Sequence, residues 1–135
     1  MGQVLDLGDG ARMIILAMDD SGTILKLEWQ AFSAYLPFPQ AADKPVISNL
    51  NPTHPQAVSV LLLASGGQAV LNPPGGLAGM LSQLVIASLD SDLTKPDIDP
   101  AVRAALKDFP ILTSRDHGWI EVSTDGEKMW VKTER

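Results

Sequence analysis

From Pro45 to Leu89 the chain carries no Asp, Glu, Lys or Arg, and His54 is the only titratable side chain in that stretch. The 10 basic and 16 acidic residues all lie on either side of it. A third of a 135-residue chain therefore cannot build a charged, solvated surface and has to be covered. The cover is either the rest of the chain or a partner. Within the stretch, Val58 to Ala64 is an apolar run of strand length. Asn72-Pro73-Pro74-Gly75-Gly76 is a hard break. The spacing then predicts a helix over Leu77–Leu89. Leu77, Met80, Leu81, Leu84 and Val85 fill one face, and Ile86, Ala87 and Leu89 make the rest nearly apolar. A helix apolar all round needs cover all round, and a small domain has few elements to supply it. Leu77, Met80, Leu84 and Ile86 are accordingly the expected interface.

The flanks read as hairpins. Arg12–Met18 and Thr23–Trp29 flank Asp19-Asp20-Ser21-Gly22, strong turn chemistry. A Ser21-Gly22 loop sets Met18 against Leu25, Leu16 against Leu27 and Ile14 against Trp29, giving one wholly apolar face. Gln3–Leu7 is an additional short strand. Trp29, Phe32 and Leu36 fall at helical spacing, and Pro37 and Pro39 end that helix. The stretch Asp43–Pro55 reads as a loop. Asp99-Pro100 opens a second helix whose apolar positions are Val102, Ala105, Leu106 and Phe109. The last unit is a hairpin about Asp125-Gly126, with Val122 opposite Met129 and Ile120 opposite Val131. The expected fold is α+β: a single domain over residues 1–135, with two antiparallel hairpins and a short apolar core strand packed with two to three helices. Residues 45–89 form its uncharged segment, and residues 99–133 its C-terminal helix and hairpin.

The outer face of that last hairpin is a second candidate surface. Trp119 and Trp130 share it with Lys128 and Lys132, a mixture that can stack bases or hold an anionic partner. The same mixture also serves to cover a hydrophobic edge with lysine stems. The order helix, helix, hairpin over Leu77–Thr133 resembles the winged-helix architecture, with Ser123–Lys128 as its wing, which implies nucleic-acid binding. It rests on no motif. Only Arg115 precedes the hairpin where a recognition helix needs polar and basic side chains. A net charge of −6 also disfavours nucleic acid.

Reaction chemistry has little support. No cysteine is present, which removes disulfides, thiolate metal sites and thiol catalysis, and fits a reducing, cytoplasmic setting. Asp90, Asp92, Asp97 and Asp99 lack calcium-loop spacing. The Gly-rich turn before Leu77 matches no phosphate-binding pattern. His117 beside Asp116 is not a dyad, because neighbours along a chain point apart. No cofactor, metal or catalytic residue is expected, and neither a signal peptide nor a membrane span. The function these features favour is a non-enzymatic protein-binding or assembly module, self-associating, of the accessory or virion-subunit type. The alternatives are a winged-helix-like nucleic-acid binder and a small metal- or ligand-dependent enzyme. The enzyme reading places a pocket near His117 or the Asp90–Asp99 loop.

Overall fold

The structure, a computed structural model, describes residues 3–40, 56–72, 77 and 79–135. Seven strands form one mixed sheet in sequence order: β1 (Val4–Gly8), β2 (Ala11–Asp19), β3 (Gly22–Trp29), β4 (Phe32–Pro39), β5 (Gln56–Leu62), β6 (Met80–Ala87) and β7 (Ile111–Thr113). β1 to β4 run antiparallel, whereas β4 to β7 run parallel. A separate hairpin, β8 (Ile120–Thr124) and β9 (Met129–Thr133), follows. Two short α-helices are fully described, α1 (Pro100–Ala105) and α2 (Ser114–His117). The fold is therefore mostly β, and the expected α+β class with two to three packed helices is overturned.

Two predicted helices are strands. Met80–Ala87 is β6, sandwiched between β5 and β7. Only Leu84–Ala87 is covered on both faces; Leu81 and Gln83 are exposed, but an apolar Leu81 hides the alternation, so the run is indistinguishable by period from a buried helix. Trp29–Leu36 is a turn followed by β4. Gln30 adopts φ 52°, closing a two-residue loop that sets Trp29 against Phe32. The winged-helix order disappears with the first of these helices. The predicted loop at Asp43–Pro55, His54 included, lies outside the described residues.

Both hairpins exist with shifted registers. Their loops are Asp20-Ser21 and Asp125–Lys128, so each pairing near the turn moves by two residues. A two-residue shift keeps every side chain on its face, whereas a one-residue slip flips them all. Beyond the turn, β2 does change face. A β-bulge between the Ile15 and Ala17 pairs sends Met13 and Ile15, rather than Ile14 and Leu16, to the side of Leu25 and Leu27.

One sheet face holds the main core. Tyr35, Leu61, Val85 and Ile111 lie in register across β4 to β7. The connections after β5 and β6 return over this face and bring Leu77, Ile98, Val102 and Leu106 onto it. Ile24, Leu61, Leu77, Val85, Val102 and Leu106 are fully buried, each contributing about 1.5–3 kcal/mol. Asp99 caps α1 by accepting from Ala101 N at 2.8 Å. Gly67 (φ +84°) touches Ile98 so closely that a Cβ there would sit 2.9 Å from its side chain. The return after β5 is fixed by Asn72, which is fully buried. Its Oδ1 accepts from Ala64 N, and its Nδ2 donates to the carbonyls of Ala64 and Gln68, all at 2.8 Å.

Replacing Asn72 with Ala leaves Ala64 with an unpaired amide and carbonyl in a dry site. The expected loss is about 3 kcal/mol, read as a lower urea midpoint with an unchanged slope. An unchanged midpoint would show that water replaces the side chain.

Candidate functional site

The opposite face of the sheet is apolar from edge to edge. Leu5, Met13, Leu27, Ala34, Val60 and Leu84 form one row across β1 to β6. Ile15, Leu25 and Leu36 start a second, which Leu62, Ile86 and Leu112 continue over the parallel strands. The β8–β9 hairpin covers the centre of this face. Val122 and Met129 pack there with Phe32, Ala34, Val60, Leu27 and Ile86. Its turn locks onto the β3–β4 turn, where Ala31 N donates to Gly126 O at 2.8 Å. Gly126 (φ +96°) allows this approach, since a Cβ would lie 2.7 Å from Gln30.

Beyond the hairpin the face is open. Leu5, Met13, Ile15 and Leu25 line a groove of about 430 Å³ beside β1. All five residues of β1 are exposed, Leu5 at 59% and Val4 at 52%. β1 is the free edge of the sheet among the described residues. The other face of this half joins the main core at Ala17 and Ile24 and is polar toward the β1–β2 turn. Arg12 pairs with Glu28, Lys26 lies 3.1 Å from Glu28, and Lys26 sits over the Tyr35 ring at 5.8 Å.

The expected interface residues sit mostly inside. Leu77, Met80 and Leu84 are buried within the chain's own fold. Ile86 is half-buried beside the hairpin. A two-faced apolar segment finds its cover once it is a strand between two layers. Trp119 (53% exposed) and Trp130 (52%) do share the outer face of the last hairpin with Lys132. Lys132 is paired with Glu121 and Trp130 with Ser123, while Glu134 returns beside Trp119. Lys128 is in the turn. Two carboxylates among these aromatics and lysines leave no cationic track for a phosphate backbone.

The Ser114–His117 run is structural stitching. Ser114 Oγ bonds Leu89 N and O, at 2.8 and 2.9 Å. The Arg115 guanidinium donates to four carbonyls, those of Asp90, Asp92, Lys95 and Pro96, at 2.7–3.3 Å. Asp116 bonds the Thr113 hydroxyl, and His117 Nδ1 meets Arg135 O. His117 and Asp116 thus serve different partners. Asp90, Asp92, Asp97 and Asp99 each accept a backbone N–H within their own loops. No group of three metal-ligating side chains occurs among the described residues. No helix there is long and apolar enough to cross a membrane.

A cleft of about 480 Å³ lies at the carboxyl ends of β4, β5 and β6. It is bounded by Pro37 and Phe38, by Leu62 and the turn after β5, and by Leu89 with the loop that Arg115 pins. The sequence signal for it was the proline pair. Gln40 N donates to Ser21 O, so by strand alternation Pro37 and Pro39 turn their missing N–H toward β5. The β4–β5 ladder, paired at Ala34–Val60 and Tyr35–Leu61, ends there and the strands part.

Four carboxyls are held below their ordinary range. For Glu28 the first cause is the hydrogen bond from Lys26. For Asp92, Asp97 and Asp125 it is a backbone N–H, from Thr94, Ile98 and Lys128 respectively. A folded value below the unfolded one adds stability above the unfolded pKa and loses it as pH falls through the folded one. The melting temperature, followed by circular dichroism, should therefore hold near neutrality and drop below about pH 4. A melting temperature that rises on acidification would contradict this.

No protein-family model, curated protein or solved structure matches the chain, so its function rests on the chemistry of these surfaces.

Proposed function

We propose that the chain is a non-enzymatic assembly module that self-associates through the β1 edge and the open apolar half-face beside it. The observation that carries this reading is an exposed edge strand whose ladder with β2 is regular from Val4 to Asp6, its register shifting only between Asp6 and Gly8. It contains no Lys and no Pro, and Asp6 is its single charge.

The edge is self-complementary. Ile15 N donates to Gln3 O, so Gln3 and Leu5 point their backbone groups at β2. Val4 and Asp6 then point theirs outward. A two-fold axis at Leu5 pairs Val4 of each copy with Asp6 of the other through backbone hydrogen bonds. The two Leu5 side chains meet at the close, non-hydrogen-bonded position. Asp6 avoids its own symmetry mate in this register, whereas an axis at Asp6 would set two carboxylates face to face. The Leu5, Met13, Ile15 and Leu25 grooves of the copies become neighbours, and the open face is continued across the axis. An isologous contact of this kind closes as a dimer.

Light scattering after gel filtration, over a concentration series, checks the reading. Two chains per particle are expected at high concentration, more so with added salt, which screens the −6 charge. Leu5→Lys should give a monomer that still unfolds in one cooperative transition, with a melting temperature that no longer depends on concentration. Val4→Pro should do the same, because it removes a donor that the chain's own ladder does not use. A wild-type monomer at every concentration overturns the proposal, as does a dimer that ignores both changes and yields to Trp130→Ala.

A further inference from the structure

We infer that the cleft at the carboxyl ends of β4, β5 and β6 is a binding site for a small organic monoanion with an apolar body, such as a short-chain or aryl carboxylate. It is separate from the β1 edge, on the parallel half of the sheet.

Its size and position suit a ligand. About 480 Å³ falls within the usual range of small-molecule sites, roughly 300–1,000 Å³. The loops beyond the carboxyl ends of parallel strands are where open sheets hold their ligands. Here the strand order is monotonic, so no topological switch opens the crevice. The prolines of β4 open it instead, by ending the ladder with β5.

The walls are fixed by contacts of their own. Ser65 (φ 44°) and Gly66 (φ 68°) form a left-handed turn after β5. A Cβ on Gly66 would lie 3.1 Å from the Leu89 side chain and Ser88 O, so the turn is tight against the end of β6. A left-handed serine is a costly conformation that persists where its surroundings impose it. On the far side, the four carbonyls held by Arg115 set the course of the Asp90–Pro96 loop. A site formed before its ligand arrives loses little affinity to ordering.

The lining chemistry selects the ligand. Phe38 (50% exposed), Leu62 and Leu89 offer apolar surface to a hydrocarbon body. Of the charged groups nearby, Arg115 is occupied by carbonyls, and the Asp90 carboxylate accepts from Asp92 N at 2.9 Å. Lys95 lines the cleft and makes no ion pair among the described residues. Ser65, Gln68 and Ser88 add polar groups around it. One lysine attracts an anionic head, and Asp90 nearby disfavours a second negative charge. The combination suits a carboxylate over a phosphate dianion.

Amide chemical-shift titrations of the full chain with hexanoate, hexanol, hexylamine and inorganic phosphate test the assignment. Hexanoate should move the amides of Gly66, Leu89 and Lys95 along saturable curves with a Kd of about 1 mM. It should bind about fivefold tighter than hexanol, one exposed charge pair's worth. Lys95→Gln should erase that difference, Lys95→Arg should keep it, and Lys128→Gln should leave it unchanged. Any of three results overturns the proposal: no saturable shift up to about 20 mM hexanoate, hexylamine or phosphate binding as tightly as hexanoate, or shifts centred on Leu5 and Leu25 instead of the cleft.

Discussion

Everything in this fold depends on β4 serving two ladders at once. It bonds antiparallel to β3 along its whole length and parallel to β5 over a short stretch. Antiparallel neighbours need only tight turns, which leave both faces of the sheet free. Parallel neighbours need long returns, which have to run over a face and so cover it. The change of direction at β4 thus divides the molecule. The parallel half has a thick core of returning segments, with Val102 and Leu106 over Leu61 and Val85. The antiparallel half has ion pairs beside the buried Ala17 and Ile24 on one face and bare leucines, isoleucine and methionine on the other. The open edge and the cleft sit at opposite ends of this asymmetry.

The C-terminal segment partly compensates for the division. The side chains of Ser114, Arg115 and His117 each anchor a different piece of backbone, and Asp116 holds the Thr113 hydroxyl, so α2 behaves as a rivet rather than as a helix with a face. The hairpin that follows lays Val122 and Met129 on the open side of the sheet and stops short of β1 and β2. Its reach is set by Gly126 against Gln30, because the turn cannot advance past the contact that holds it. The apolar ground left beyond that contact is what makes the edge of the sheet chemically available.

Much of the local structure was legible in the sequence, and the misreadings have definite physical sources. The Asp-Ser-Gly and Asp-Gly turns announced both hairpins, and their faces near each turn survived because the registers erred by an even number of residues. Asp99-Pro100 announced a cap that is present. Leu77–Leu89 misled because the second half of β6 is covered on both sides and the exposed Leu81 in its first half is apolar, so only its length and its Val85-Ile86 pair spoke for β6. Trp29, Phe32 and Leu36 satisfied a helical spacing by coincidence, while Phe32, Ala34 and Leu36 equally satisfied a strand. The bulge at Leu16 left no compositional mark. The surfaces were harder still. A free edge and a cleft are properties of strand order, and no local pattern in Gln3–Leu7 states which strand will lie outermost. Pro37 and Pro39 were visible as a stop, but what they stop is a ladder rather than a helix.

The covering hairpin also bears on how the chain comes into being. Its residues leave the ribosome well after the strands they shield. Until they emerge, the apolar rows from β1 to β6 have no lid at all, and the nascent sheet presents its stickiest side to the cell. Synthesis at about 5–20 residues per second leaves that interval at a second or more. A chain cut short before Val122 would therefore keep that apolar side uncovered.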